Sequence, residues 1–182
     1  MNTKNYFIFI LLLEGCGGEE KVCKGNYLDD TGICYKLIDY QITEDALNTL
    51  TNDILERASY HLDINSDILY NHFLANEINF IIGPKELLPD LKNEDDLTLG
   101  VAVLIINKSG LTIEKINISV RNDLVCVNHT YFHELLHVVY YILHSKNSVK
   151  QGSNYHNELY FGLSNNSLED KLLKEINCEI EQ

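Results

Sequence analysis

The residues whose types and spacing could do chemistry are His133-Glu134-Leu135-Leu136-His137. Two histidines four apart on a helix lie one above the other on the same face, about 6 Å apart. That is close enough for both imidazoles to bind one zinc ion. Glu134 follows the first histidine directly, so it projects beside a metal rather than at it. A carboxylate there can take a proton from zinc-bound water and pass it to a leaving amine. Leu135, Leu136, Val138 and Val139 are bulky and uncharged, as a helix buried behind a cleft requires. The plain alternative is a buried helix whose polar groups are satisfied by hydrogen bonds, because burying them unpaired is costly.

A zinc enzyme usually has three protein ligands and one water. Three residues are candidates for the third ligand: His144, His156 and Glu158. A helix running straight through His144 would place it about 10 Å along the axis from His137, too far to share the ion. Ligation by His144 therefore demands a turn near Tyr140 to Leu143. His156 and Glu158 follow a polar loop with Gly152 that could return the chain to the metal. The spacing of Glu158 from His137 is similar to that of the ligand glutamate in thermolysin-like enzymes, and Asn157-Glu158 resembles their Asn-Glu pair. Tyr155 and Tyr160 are candidates to donate a hydrogen bond to a developing oxyanion. His61, His72 and His129 show no partner pattern and read as surface or loop residues.

The elements that must position this stretch can be read from periodicity. Thr43 is an N-cap, with Glu44 and Asp45 in the first turn of a helix whose apolar residues recur at helical spacing to Leu62. A second helical segment spans Asp67 to Ala75. Strands are expected at Ile33 to Tyr40 and at Glu77 to Gly83, the latter ended by Gly83-Pro84. Leu99 to Asn107 is nearly all apolar, which predicts a strand buried on both faces. Leu111 to Val120 alternates, with one slip near Lys115 that fits a bulge. With the turn Lys108-Ser109-Gly110 these two form a hairpin. The helix bearing the histidines then runs from Asp123 or Asn128 to about His144. A last helix is expected at Leu168 to Ile176, with Ser167 as cap. A strand alongside the cleft would let a substrate backbone add as a further strand.

The amino terminus has a short basic region, then Tyr6 to Leu13, an apolar run too short to span a bilayer. It reads as a bacterial secretion signal. Leu13-Glu14-Gly15-Cys16 resembles a lipobox, which implies lipid modification of Cys16 and attachment to the membrane through acyl chains. The expected organisation is a signal over 1–16, a tether over 17–32 and one domain over 33–182. Removing 16 residues from 182 leaves about 165, enough for one core. The five cysteines are Cys16, Cys23, Cys34, Cys126 and Cys178. Setting Cys16 aside leaves an even number, suited to an oxidising compartment. The preferred pairing is Cys23–Cys34 and Cys126–Cys178. The formal net charge of −13 argues against nucleic acid as a partner and against electrostatic docking on anionic lipid.

The segment from Leu99 to His144 resembles a group of small bacterial zinc metallopeptidases, often exported or lipid-anchored. Their pattern is two histidines around a glutamate, H-E-x-x-H, with a further histidine seven residues on. It follows a hairpin and a basic residue shortly before the helix. His133, Glu134, His137 and His144 match this pattern, and Arg121 stands at the basic position. The resemblance covers about a third of the chain. It implies a metzincin-like fold, an α+β zincin-like single domain with a small mixed sheet, and His144 as third ligand. The expected function is a zinc-dependent peptidase, monomeric, with one Zn2+, Glu134 as general base and peptide or protein substrates. The other reading is a catalytically inactive surface lipoprotein of the same fold that acts as a binding module. Both readings place the protein outside the bacterial cytoplasm, anchored at the cell envelope.

Overall fold

A computed structural model describes residues 25–96, 98–107, 113–124, 126–144, 159–161 and 167–175. Among these the fold is mixed α+β, with one five-stranded sheet and four α-helices. The strands are β1 (Asn26–Tyr27), β2 (Cys34–Leu37), β3 (Glu77–Gly83), β4 (Gly100–Ile106) and β5 (Ile113–Arg121). The helices are α1 (Glu44–Leu62), α2 (Ser66–Ala75), α3 (Val127–Leu143) and α4 (Leu168–Leu173). A single 3-10 turn covers Lys85–Leu87.

The sheet order is β1-β2-β3-β5-β4. The three central strands β2, β3 and β5 are parallel, and β1 and β4 flank them antiparallel. The parallel pairings require crossovers, and α1 with α2 supplies the one between β2 and β3. The hairpin of β4 and β5 forms as its alternation predicts. Ile105 pairs with Lys115 while Ile106 pairs with Ile113, so Glu114 is the extra residue and the bulge lies beside Lys115 as expected.

Local chemistry accounts for the helix ends. Thr43 Oγ1 accepts from the Ala46 N–H at the start of α1. Asp63 stops α1 in the left-handed region at φ 54°. Asn65 caps α2 through the Asp67 N–H, and Ser167 caps α4 through the Asp170 N–H. The helix α1 is amphipathic and buries Leu47, Ile54, Leu55 and Ala58. By contrast α3 is apolar nearly all round, so it runs through the middle of the molecule. It packs on β4 and β5 and also touches α2 and α4. Tyr131 lies against Phe80 of β3 with ring centroids 4.3 Å apart. Its hydroxyl meets Thr51 Oγ1 of α1 at 2.8 Å, so the one polar atom of a fully buried ring is satisfied.

Two expectations need correction. Only Ala102 of β4 is buried, because β4 is an edge strand and not a central one. Its apolar residues are covered by α3 rather than enclosed from both sides. Part of the stretch read as a tether is also folded in. Asn26 and Tyr27 pair with β2, and Leu28 and Thr31 are fully buried. Cys34 and Cys126 are both disulfide-bonded. Cys23 and Cys178, their expected partners, lie outside the described residues, as does Cys16. No helix among the described residues is long and apolar enough to cross a membrane.

Candidate metal centre and its carboxylates

The helical spacing brings His133 and His137 together. Their rings sit edge to face with centroids 5.0 Å apart. Both belong to α3, whose start follows the disulfide-bonded Cys126 and whose far side is locked by Tyr131, Phe132 and Leu135 in the core. Glu134, next to His133 in the chain, lies under the edge strand β4 and within electrostatic reach of the His133 ring. The backbone N–H of Ala102 donates to its carboxylate. Gly100 covers it: a Cβ there would fall 2.9 Å from Glu134 Cγ and Oε1, and 2.7 Å from Thr130 Cγ2. Glycine at 100 is therefore what lets β4 close over the carboxylate.

This burial sets the acidity of Glu134. Loss of solvent pushes its carboxyl up from 4.5 to about 7. The charge of His133 and the Ala102 N–H oppose that rise, and the nearby Glu169 carboxylate adds to it. A carboxyl held at about 7 is matched to both accepting and returning a proton near neutrality.

A residue that the sequence reading left out completes the surroundings. Oε1 of Glu169, in the first turn of α4, lies 2.6 Å from His133 Nδ1. Burial alone would lower the His133 pKa, yet the Glu169 hydrogen bond and the charges of Glu134 and Glu169 outweigh it, and the pKa is raised. The signal available in the sequence was slight: Ser167 as cap and an acidic first turn, which is also what any helix start looks like. Tyr141 Oη stands 3.5 Å from His137 Nδ1, one turn further along α3. Phe161 stacks on His137 with centroids 4.3 Å apart and reaches His133 at 5.4 Å.

His144 has a different position. The helix does not turn at Tyr140 but continues to Leu143, and His144 is its C-cap. That places His144 about 10 Å along the axis from His137. Its Nε2 meets the Tyr160 hydroxyl at 3.0 Å. The Tyr160 phenol is raised to about 12, first by burial and then by Tyr140, so it stays protonated. Among the described residues no three His, Cys, Asp or Glu side chains converge as a metal cluster. His156, Glu158 and Tyr155 lie outside the described residues. Arg121 braces the loop before β4. It pairs with Asp123 at 2.7 Å and donates to the carbonyls of Asp96 and Thr98.

The donors present suit zinc in kind. Two imidazoles one turn apart fit one ion, and a proton on His133 Nδ1, toward Glu169, would leave that ring's lone pair on Nε2. The chain matches no protein-family model, no curated protein and no solved structure.

Proposed function

We propose that this chain is a zinc-dependent peptidase with a zincin-like fold, exported and held at the bacterial cell envelope through Cys16. The observation that carries the reading is Glu134: a buried carboxyl raised to about 7, set beside two imidazoles on one helix and beneath an edge strand. The antiparallel edge strand over a buried H-E-x-x-H helix supports the fold reading.

His133 and His137 would hold the ion, with a third ligand drawn from His144, His156 or Glu158. The helical separation of His144 favours the two later residues. Bound there, zinc would supply a Lewis acid that lowers the pKa of a water and polarises a carbonyl. Glu134 receives the proton of the attacking water on its carboxylate and returns it to the leaving nitrogen. The Ala102 N–H and the Gly100 backbone keep that carboxylate in place. A substrate backbone pairs along the outer edge of β4, whose described neighbour in the sheet is β5 alone.

The position of His144 favours a second reading, an inactive envelope-anchored binding module of the same fold. Zinc content and hydrolysis separate the two. The full-length chain is expected to hold about one zinc and the His133→Ala/His137→Ala variant none. Hydrolysis of a peptide library should fall steeply in Glu134→Gln. Zinc without any hydrolysis would leave the binding module, and no zinc in a folded parent would remove the enzyme reading.

A further inference from the structure

We infer that Glu169 is a positioning residue that holds His133 in the tautomer with its proton on Nδ1, and thereby sets the metal affinity of the pair. The inference rests on the zinc reading above for its second half only.

The contact is short and directional: 2.6 Å between Oε1 and Nδ1, with both side chains mostly buried, at 29% and 17% exposed. A neutral imidazole has one N–H, and an isolated one favours it on Nε2. An acceptor fixed at Nδ1 reverses that preference and leaves the lone pair on Nε2. Carboxylate–histidine pairs of this kind orient metal ligands and raise their basicity.

The fold delivers Glu169 firmly. The Glu169 N–H donates to the Tyr160 carbonyl at 2.9 Å, and the Leu168 N–H donates to Leu159 at 2.8 Å. Two backbone hydrogen bonds thus tie residues 159–161 to the first turn of α4. That tied segment brings Phe161 onto the His137 ring and Glu169 onto His133 together. At the other end of α4, Glu175 pairs with Arg57 of α1 at 2.7 Å. Leu168 and Leu172 bury the inner side of the helix. Such a placement brings one carboxylate to one ring nitrogen with little freedom to reorganise.

The test uses the purified full-length chain and its Glu169→Ala and Glu169→Gln variants. Nitrogen-15 shifts of His133 in the metal-free protein, at a pH above the histidine range, report the tautomer. Competition with a chromophoric chelator reports zinc affinity. In the parent His133 should carry its proton on Nδ1. Glu169→Ala should move it to Nε2 and weaken zinc by about 10- to 100-fold. Glu169→Gln, whose amide oxygen still accepts from Nδ1, should retain the parent tautomer and most of the affinity.

An unchanged tautomer in Glu169→Ala overturns the inference. So does a Gln variant that loses zinc as fully as the Ala variant, which would make Glu169 a ligand in its own right. A parent that holds no zinc overturns the zinc reading and with it the affinity half of this inference. The tautomer then judges the His133 contact by itself.

Discussion

The middle and the end of α3 carry histidines of the same type on nearly the same face, yet they meet different surroundings. His133 and His137 are one turn apart, and no rearrangement is needed to bring them together. Around them the molecule places carboxylates: Glu134 beneath Gly100 and Ala102, and Glu169 on His133. His144 is two turns further on, where the helix stops, and it meets a tyrosine hydroxyl. A histidine beside carboxylates is suited to the metal-donor role proposed for it. A histidine against a neutral phenol at a helix end closes that end and links α3 to residues 159–161. Sequence spacing alone treats all three as one pattern, and the straightness of the helix separates them.

The largest effect that would sharpen this contrast is loss of metal. His133→Ala with His137→Ala should remove bound zinc completely, whereas His144→Ala should leave zinc content at about one per chain. Elemental analysis of the purified proteins checks both, and loss of zinc from His144→Ala would put the two ends of α3 in one site after all. Next in size is catalysis. Glu134→Gln should lower peptide hydrolysis by about 10²- to 10⁴-fold with zinc retained. Equal hydrolysis by parent and variant would remove Glu134 from the chemistry.

The pH dependence of stability gives a third handle, in the metal-free chain. The folded pKa of Glu134 lies above its unfolded value of 4.5, so the unfolded chain releases this proton first. The associated stability is present below about pH 4.5 and is lost as pH rises through about 7. The rise from 4.5 to about 7 corresponds to about 3 kcal/mol. Urea denaturation should therefore show Glu134→Gln gaining on the parent as pH rises from 5 to 8, and parallel curves would contradict the burial assigned to this carboxyl.

Smaller changes probe the lid over Glu134. Gly100→Ala forces Glu134 or Thr130 aside and should cost about 1–3 kcal/mol of stability, while hydrolysis falls more than zinc affinity does. Zinc titration beside a kinetic assay would detect the split. The smallest effect is expected at the rim. Arg57→Ala breaks exposed pairs with Asp53 and Glu175, so it should barely move the melting temperature. A larger shift, read by thermal melting, would mean that α4 depends on the Glu175 pair to reach His133.

Much of the fold is legible locally. Thr43 and Ser167 begin helices by accepting from backbone N–H groups three residues on, and Gly83-Pro84 ends β3, because these signals act within one turn. The bulge beside Lys115 is visible as a slip in alternation. The exposure of β4 is not legible this way. An apolar strand reads the same at the centre of a sheet as at an edge covered by a helix, and strand order is a long-range property. Glu169 is hidden for a similar reason. It lies 36 residues from His133, and only the bonding of Leu168 and Glu169 to residues 159 and 160 brings it back.

The sequence by itself determined the pair His133 and His137, with Glu134 beside them, because helical geometry fixes neighbours three and four apart without any help from the rest of the chain. Only the tertiary structure decided what surrounds that pair. It put Gly100 over Glu134, Glu169 on His133 and Tyr160 on His144. Burial and contacts across long stretches of chain depend on how helices and strands pack, and no local spacing encodes them.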